Sequence, residues 1–339
     1  GADRAVAGLA LRLSRGEGVR LMVLAAAATA LLSMWMSNIA AAALMIGALK
    51  PVLDAEPPEG SLRRAVLLAV ALGADVGGIA TPIGTGPNAI AIAAVEAYRP
   101  LTFVHWMAFG VPLVIGLLAA SLLLAALWLR PSGRVALPGD GLRVHADGVA
   151  RLAFVFGAAV VLWLTEPLHG VRAWIVALGA AGALFLLRLL RPRDLARIDW
   201  GTLLLIAGGI ALGALLDRSG LMEVIAANLP LGSAPPTLRV LALCLLAATL
   251  SALMSNTGTA TVLIPLAVTL MPTPSTAVLV AVASSLGVPF VISTPPNAMA
   301  VGAGLRGRDL LVPGLVIMIG GCLLVALTGP WVLRTLGIP

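Results

Sequence analysis

Ser33-Met34-Trp35-Met36-Ser37-Asn38 interrupts one apolar stretch of the chain, and Ser251-Ala252-Leu253-Met254-Ser255-Asn256 interrupts another. A second matched phrase follows each: Gly84-Thr85-Gly86-Pro87-Asn88 in the first half, Ser293-Thr294-Pro295-Pro296-Asn297 in the second. Polar, helix-breaking islands at corresponding places in two hydrophobic halves point to the central binding site of a membrane carrier. In hydrocarbon every backbone N–H and C=O must find a partner. A broken helix therefore persists only where protein buries it or where it lines a cavity.

Composition agrees. The chain is 60% hydrophobic and 11% charged, with a mean hydropathy of +1.05, where a soluble domain carries about a quarter charged residues. The net charge of +7 is spread between apolar segments without a basic tract, which argues against a nucleic-acid partner. Cys244 and Cys322 lie in apolar segments, and the three histidines are scattered. They offer neither a disulfide framework nor zinc spacing. No cluster of carboxylates or histidines supplies hydrolytic or redox chemistry, so the expectation is a non-enzyme without a cofactor.

Residues 1–20 set Arg4, Arg12, Arg15 and Arg20 among Val6, Leu9, Leu11 and Leu13, the pattern of an interfacial amphipathic helix. Residues 21–49 are too long for one untilted span and too short for two. A re-entrant hairpin with the Ser33–Asn38 island at its tip resolves this, and 238–271 reads the same way. Full crossings follow at 62–97, 106–129, 149–166, 171–190, 199–217, 276–304 and 310–334, with a cytoplasmic loop at 130–148. The crossings 62–97 and 276–304 are broken by Gly84–Asn88 and by Gly287 through Pro296, since proline removes a helical donor. This layout puts 17 of the 22 basic residues on the cytoplasmic side, as the positive-inside rule requires. Five crossings separate the hairpins, so the repeats 21–129 and 149–339 are inverted. The second repeat has three crossings before its hairpin and the first has none, which predicts three further spans upstream of Gly1.

Ser33, Ser37 and Asn38 bring hydroxyl and amide oxygens, hard ligands suited to an alkali cation, and Thr85 and Asn88 sit on the partner break. Ser251, Ser255, Asn256, Thr257, Thr294 and Asn297 repeat the arrangement. Helix N-termini at such breaks suit an anion. One Ser-Asn pair alone reads as capping or packing; two pairs, each matched to a Pro-Asn break, read as paired sites. Asp75, a carboxylate within an apolar segment, is a candidate proton-coupling residue.

At these residues the chain resembles the divalent-anion/sodium symporters, which carry dicarboxylates, citrate or sulfate. That family has a Ser-Asn-Thr motif at each hairpin tip and Thr-Pro-Pro-Asn or Thr-Gly-Pro-Asn in each broken helix. Ser37-Asn38, Ser255-Asn256-Thr257, Thr85-Gly86-Pro87-Asn88 and Thr294-Pro295-Pro296-Asn297 match. The resemblance implies an elevator-type fold and a homodimer of full-length chains in the inner membrane of a bacterium. It implies one Na⁺ site at Ser33, Ser37, Asn38 and backbone near Gly84, and another at Ser251, Ser255, Asn256 and backbone at Thr294–Pro295. Substrate contacts follow at Asn38, Asn256, Thr257, Pro87 and Pro296, and Thr85, Asn88 and Asn297 complete the candidate substrate-binding set. Ile39 stands where the family has Thr, so one hydroxyl that would meet an anion is absent. Sodium-coupled symport of a divalent anion is the first expectation. Sodium-independent exchange, sulfate transport, proton coupling, ion efflux and a noncatalytic membrane fragment are the alternatives.

Overall fold

The computed structural model describes residues 2–96, 98, 101–133, 146–221, 224, 228 and 234–338. Most of the expected loop at 130–148 lies outside them. Among the described residues all regular structure is helical. In chain order it comprises α1 (Ala2–Ser14), α2 (Gly18–Ser33), α3 (Asn38–Ala55), α4 (Ser61–Gly77), α5 (Gly86–Glu96), α6 (Phe103–Leu129) and α7 (Ala146–Leu164). There follow α8 (Glu166–His169), α9 (Ala173–Leu186), α10 (Trp200–Arg218), α11 (Pro236–Leu253), α12 (Asn256–Leu270), α13 (Pro274–Ser284), α14 (Pro295–Gly302) and α15 (Gly307–Thr335). Helices α3, α6, α11 and α15 are long and apolar enough to cross a bilayer. With the hydropathy of the whole chain, this makes an all-α, polytopic membrane protein.

The core is built on the two helices that precede the breaks. Residues 65–77 of α4 and 275–284 of α13 are buried without interruption, as a helix enclosed on all sides requires. Small residues let neighbours come close. Gly77 faces Ala30 of α2, where a Cβ would lie 2.5 Å from the Ala30 Cα; just past α13, Gly287 faces Ala248 of α11, with 2.5 Å to its carbonyl oxygen. By contrast, α9 buries only Val176, and Leu186 at its end is 85% exposed. Apolar faces of this kind are what a helix presents to lipid.

The two polar islands end one helix and start the next. Ser37 Oγ accepts from the Ala40 N–H at the start of α3, and Ser255 Oγ from the Gly258 N–H at the start of α12. Serine caps well because its oxygen satisfies one of the orphan N–H groups of the first turn. Thr294 does the same for α14, accepting from the Asn297 N–H.

Ionic contacts join the halves at the far end of α4. Arg64 Nη1 lies 3.0 Å from an Asp309 oxygen. Arg63 donates to two helix C-termini, through Nη1 to Leu53 O in α3 at 2.6 Å and through Nη2 to Ala303 O beyond α14 at 2.9 Å.

Candidate functional site

Each Ser-Asn pair folds back on the core helix beside it. Ser33 Oγ lies 2.6 Å from Ala74 O and 2.9 Å from Asn38 Oδ1. Ser251 Oγ likewise contacts Ser284 O and lies 2.7 Å from Asn256 Oδ1. A hydroxyl has one proton to donate. Two acceptors meet it at each place, so three oxygens converge on a single proton, and both serines are fully buried. Oxygen clusters with spare lone pairs are the chemistry that hard cations take.

The unwound segments are tied down in the same way twice. Asn88 Nδ2 donates to Gly78 O at 3.0 Å and Thr81 O at 2.7 Å; Asn297 Nδ2 donates to Val288 O at 3.0 Å and Phe290 O at 3.1 Å. Thr81 Oγ1 donates to Met34 O at the first tip, and Ser293 Oγ to Ala252 O near the second, at 3.0 Å. In the first half, Trp106 Nε1 also donates to Ile79 O at 2.9 Å. Carbonyls released by unwinding therefore regain partners from side chains, as burial demands.

Between these elements lies a cavity of about 400 Å³. Five helix starts border it: Ser37–Asn38 of α3, Thr85–Gly86 of α5, Asp199–Thr202 of α10, Ser255–Asn256 of α12 and Thr294–Pro295 of α14. Each helix N-terminus carries roughly half a positive charge, which suits an anion, while the ionisable side chains of the lining are two carboxylates, Asp75 and Asp199, with no Lys, Arg or His. Glycines permit the closeness. A Cβ on Gly86 would lie 2.3 Å from Thr257 Oγ1, and one on Gly78 would lie 2.6 Å from Asn38 Oδ1. A second cavity, about 330 Å³ between α5, α10 and α12, is lined mainly by apolar side chains.

Of the residues singled out in the sequence, Ser37, Asn38, Asp75, Gly84, Thr85, Ser255, Asn256, Thr257, Thr294, Pro295 and Pro296 border the cavity. Ser33 and Ser251 sit behind it, against the core helices. Pro87, Asn88 and Asn297 are buried and are not in its lining. Asp75 crosses between halves: its Oδ2 accepts from Thr294 Oγ1 at 3.0 Å.

The cavity also holds residues that sequence reasoning missed as site residues, namely Ser293 and, from the start of α10, Ile198, Asp199, Thr202 and Leu203. Asp199 caps its own helix, accepting from Thr202 N at 3.0 Å and Thr202 Oγ1 at 2.6 Å. The Asp-x-x-Thr spacing marks that cap, but nothing local says which cavity it faces.

The family model described as citrate transporter matches residues 1–275 and, in a second overlapping match, 160–337. A transporter of Methanocaldococcus jannaschii is 28% identical over 85% of this chain and 68% of its own length. The sodium-dependent dicarboxylate transporter SdcS of Staphylococcus saprophyticus is 28% identical over 82% of this chain and 62% of its own. The Na⁺/citrate cotransporter of Rattus norvegicus is 24% identical over 89% of this chain and 73% of its own.

Proposed function

The chain belongs to the citrate transporter family, and from that premise we propose that it is a sodium-coupled symporter of small divalent anions such as C4-dicarboxylates. It is a membrane transporter. Among the described residues no group of three or more His, Cys, Asp or Glu forms a metal cluster.

The observation that carries the reading is the repeated oxygen triad beside a ring of helix starts. In this reading Ser33, Asn38 and Ala74 O hold one Na⁺, with Ser37 and Gly84 close by. Ser251, Asn256 and Ser284 O hold the other, with Ser255 and the Thr294–Pro295 backbone close by. The anion lies between them against Thr85, Thr257 and the N-termini at Asn38, Asn256 and Pro296. Asn88 and Asn297 position the unwound segments. Cations on either side of an anion lower the cost of burying its charge, which makes binding of the two interdependent.

In the same reading, α2–α3 and α11–α12 are two re-entrant hairpins in inverted repeats, moved together by an elevator motion. The chain works as a homodimer in the cytoplasmic membrane of a bacterium. Relatives named as a sodium-dependent dicarboxylate transporter and a Na⁺/citrate cotransporter support the choice of ion and anion.

Reconstitution tests it. Radiolabelled succinate should enter proteoliposomes under an inward Na⁺ gradient, stop when K⁺ or choline replaces Na⁺, and fall in both Asn38→Ala and Asn256→Ala. Exchange against preloaded dicarboxylate without Na⁺ would make the protein an antiporter instead.

A further inference from the structure

The corner between α1 and α2 carries a groove that the transport site does not use. Ser14 fixes its shape. Fully buried, it donates from Oγ to Leu11 O at 2.6 Å and accepts there from the Gly16 N–H at 3.3 Å. Arg15, held between, takes a φ of 51°, uncommon for a residue with a side chain. The groove has a volume of about 580 Å³ and is bordered by Leu13, Arg15, Val19, Arg20, Val23 and Leu24. Both arginines are exposed, and so are Leu13, Val19 and Val23.

Its depth in the membrane follows from its neighbours. The Gly18 N–H donates to Gly133 O at 3.4 Å, just past the end of the long apolar helix α6 at Leu129. A Cβ on Gly18 would lie 2.8 Å from Leu62, in the first turn of α4. The corner is therefore level with helix ends, where lipid headgroups lie. From it an apolar ridge runs along α2. Val19, Val23, Ala27 and Leu31 are all exposed, and a spacing of four keeps them on one face. The ridge covers about 18 Å, close to the depth of one leaflet of a hydrocarbon core about 30 Å thick.

The charge at the corner has one sign in excess. Arg12, Arg15 and Arg20 are exposed around it, and Glu17 is the one acid between Arg12 and Arg20. Glu17 lies 2.9 Å from Arg20 Nε. A guanidinium has five N–H donors in a fork, so Arg20 keeps its two terminal nitrogens for another anion. Arg15 forms no ion pair among the described residues.

We propose that this groove binds an acidic phospholipid of the bilayer. The phosphate lies between Arg15 and Arg20, and one acyl chain follows the ridge from Val19 to Leu31. A neutral lipid covers the ridge equally well; only a headgroup with net negative charge answers the arginines. The site stands apart from the cargo and its coupling ion, and requires only that the chain lie in a bilayer. Its occupant touches α2, the helix that ends at Ser33.

Native mass spectrometry of the purified protein in detergent, titrated with lipids of matched acyl chains, tests the proposal. Phosphatidylglycerol should bind about ten- to thirtyfold more tightly than phosphatidylcholine, as two arginines near a membrane surface predict. Arg15→Gln/Arg20→Gln should bring the two lipids close to parity. Arg218→Gln/Arg308→Gln removes the same charge from exposed positions elsewhere and should leave the preference intact. Val19→Ser/Val23→Ser should weaken both lipids alike. Equal binding of the two lipids by the wild type, or an unchanged preference in Arg15→Gln/Arg20→Gln, would overturn the proposal. So would displacement of phosphatidylglycerol by inorganic phosphate, which would mark a site for free anions. The carrier reading is tested separately, by uptake, and none of these results bears on it.

Discussion

The two tips share an inner chemistry and part company on the outside. At the first, Trp35 stacks on Phe103 and Trp163 with ring centroids 6.0 Å from each, and meets Phe156 edge-on at 5.3 Å. Phe103 and Trp163 stack on each other at 4.9 Å. Counting from the Ser-Asn pair, the residue that matches Trp35 is Leu253, which is 64% exposed. The first tip is thus fastened to α6 and α7 through an aromatic cluster, and the second shows no such aromatic contact among the described residues. Under the proposed function, the inner hydrogen bonds common to both halves are the ones that binding requires. The outer packing found in one half alone marks where that half is anchored.

The largest expected effect sharpens the matching. Asn38→Ala and Asn256→Ala each remove an amide oxygen from a buried triad, so each should weaken Na⁺ activation of uptake by about tenfold or more. A large loss in one variant and none in the other would break the equivalence of the two clusters.

Next come the close approaches. Gly77→Ala and Gly287→Ala each drive a methyl into backbone only 2.5 Å away. Both should destabilise the protein by about 1–3 kcal/mol, seen as a lower thermal midpoint in detergent. Similar shifts in the two variants would support the matched packing of α2 on α4 and of α11 on the segment after α13.

The outer contrast predicts unequal results. Trp35→Ala should cost about 1–2 kcal/mol, since aromatic pairs contribute about 0.5–1.5 kcal/mol each beyond their buried area. Leu253→Ala should stay within about 0.5 kcal/mol. Equal losses in thermal unfolding would mean that the second tip has an anchor of its own. The smallest effect belongs to Ile39→Thr, which restores a hydroxyl at the first tip. It should improve succinate uptake by a few-fold at most, because one hydroxyl adds a single hydrogen bond to the anion.

Much of this was legible in the sequence because the strongest signals are local. A serine that starts a helix, an Asn after a proline and a polar island in an apolar run all act within a few residues. They led to Asn38, Asn256, Thr294 and their neighbours, which border one cavity. Contacts between distant segments leave no such trace. Asp75 and Thr294 are 219 positions apart, and Trp35 meets Trp163 across four intervening helices of the chain. The bordering role of Asp199 and Thr202 was hidden for the same reason: their spacing announces a helix cap, and only tertiary packing aims that cap at the cavity. Asn88 and Asn297 stood out in the sequence as candidate substrate-binding residues. Their work on carbonyls rather than in the cavity depends on how the chain unwinds, which spacing alone does not reveal.

Arg63 carries a mechanical consequence. One planar guanidinium, its donors fixed in a fork, grips the final turn of α3 from one half and the end of α14 from the other. Rivets of this sort transmit force between parts that share no covalent link nearby. A push on the first tip travels down α3, through Arg63, to the helix that Thr294 starts. The two pieces of the cavity wall are thereby yoked, so displacement of one drags the other along.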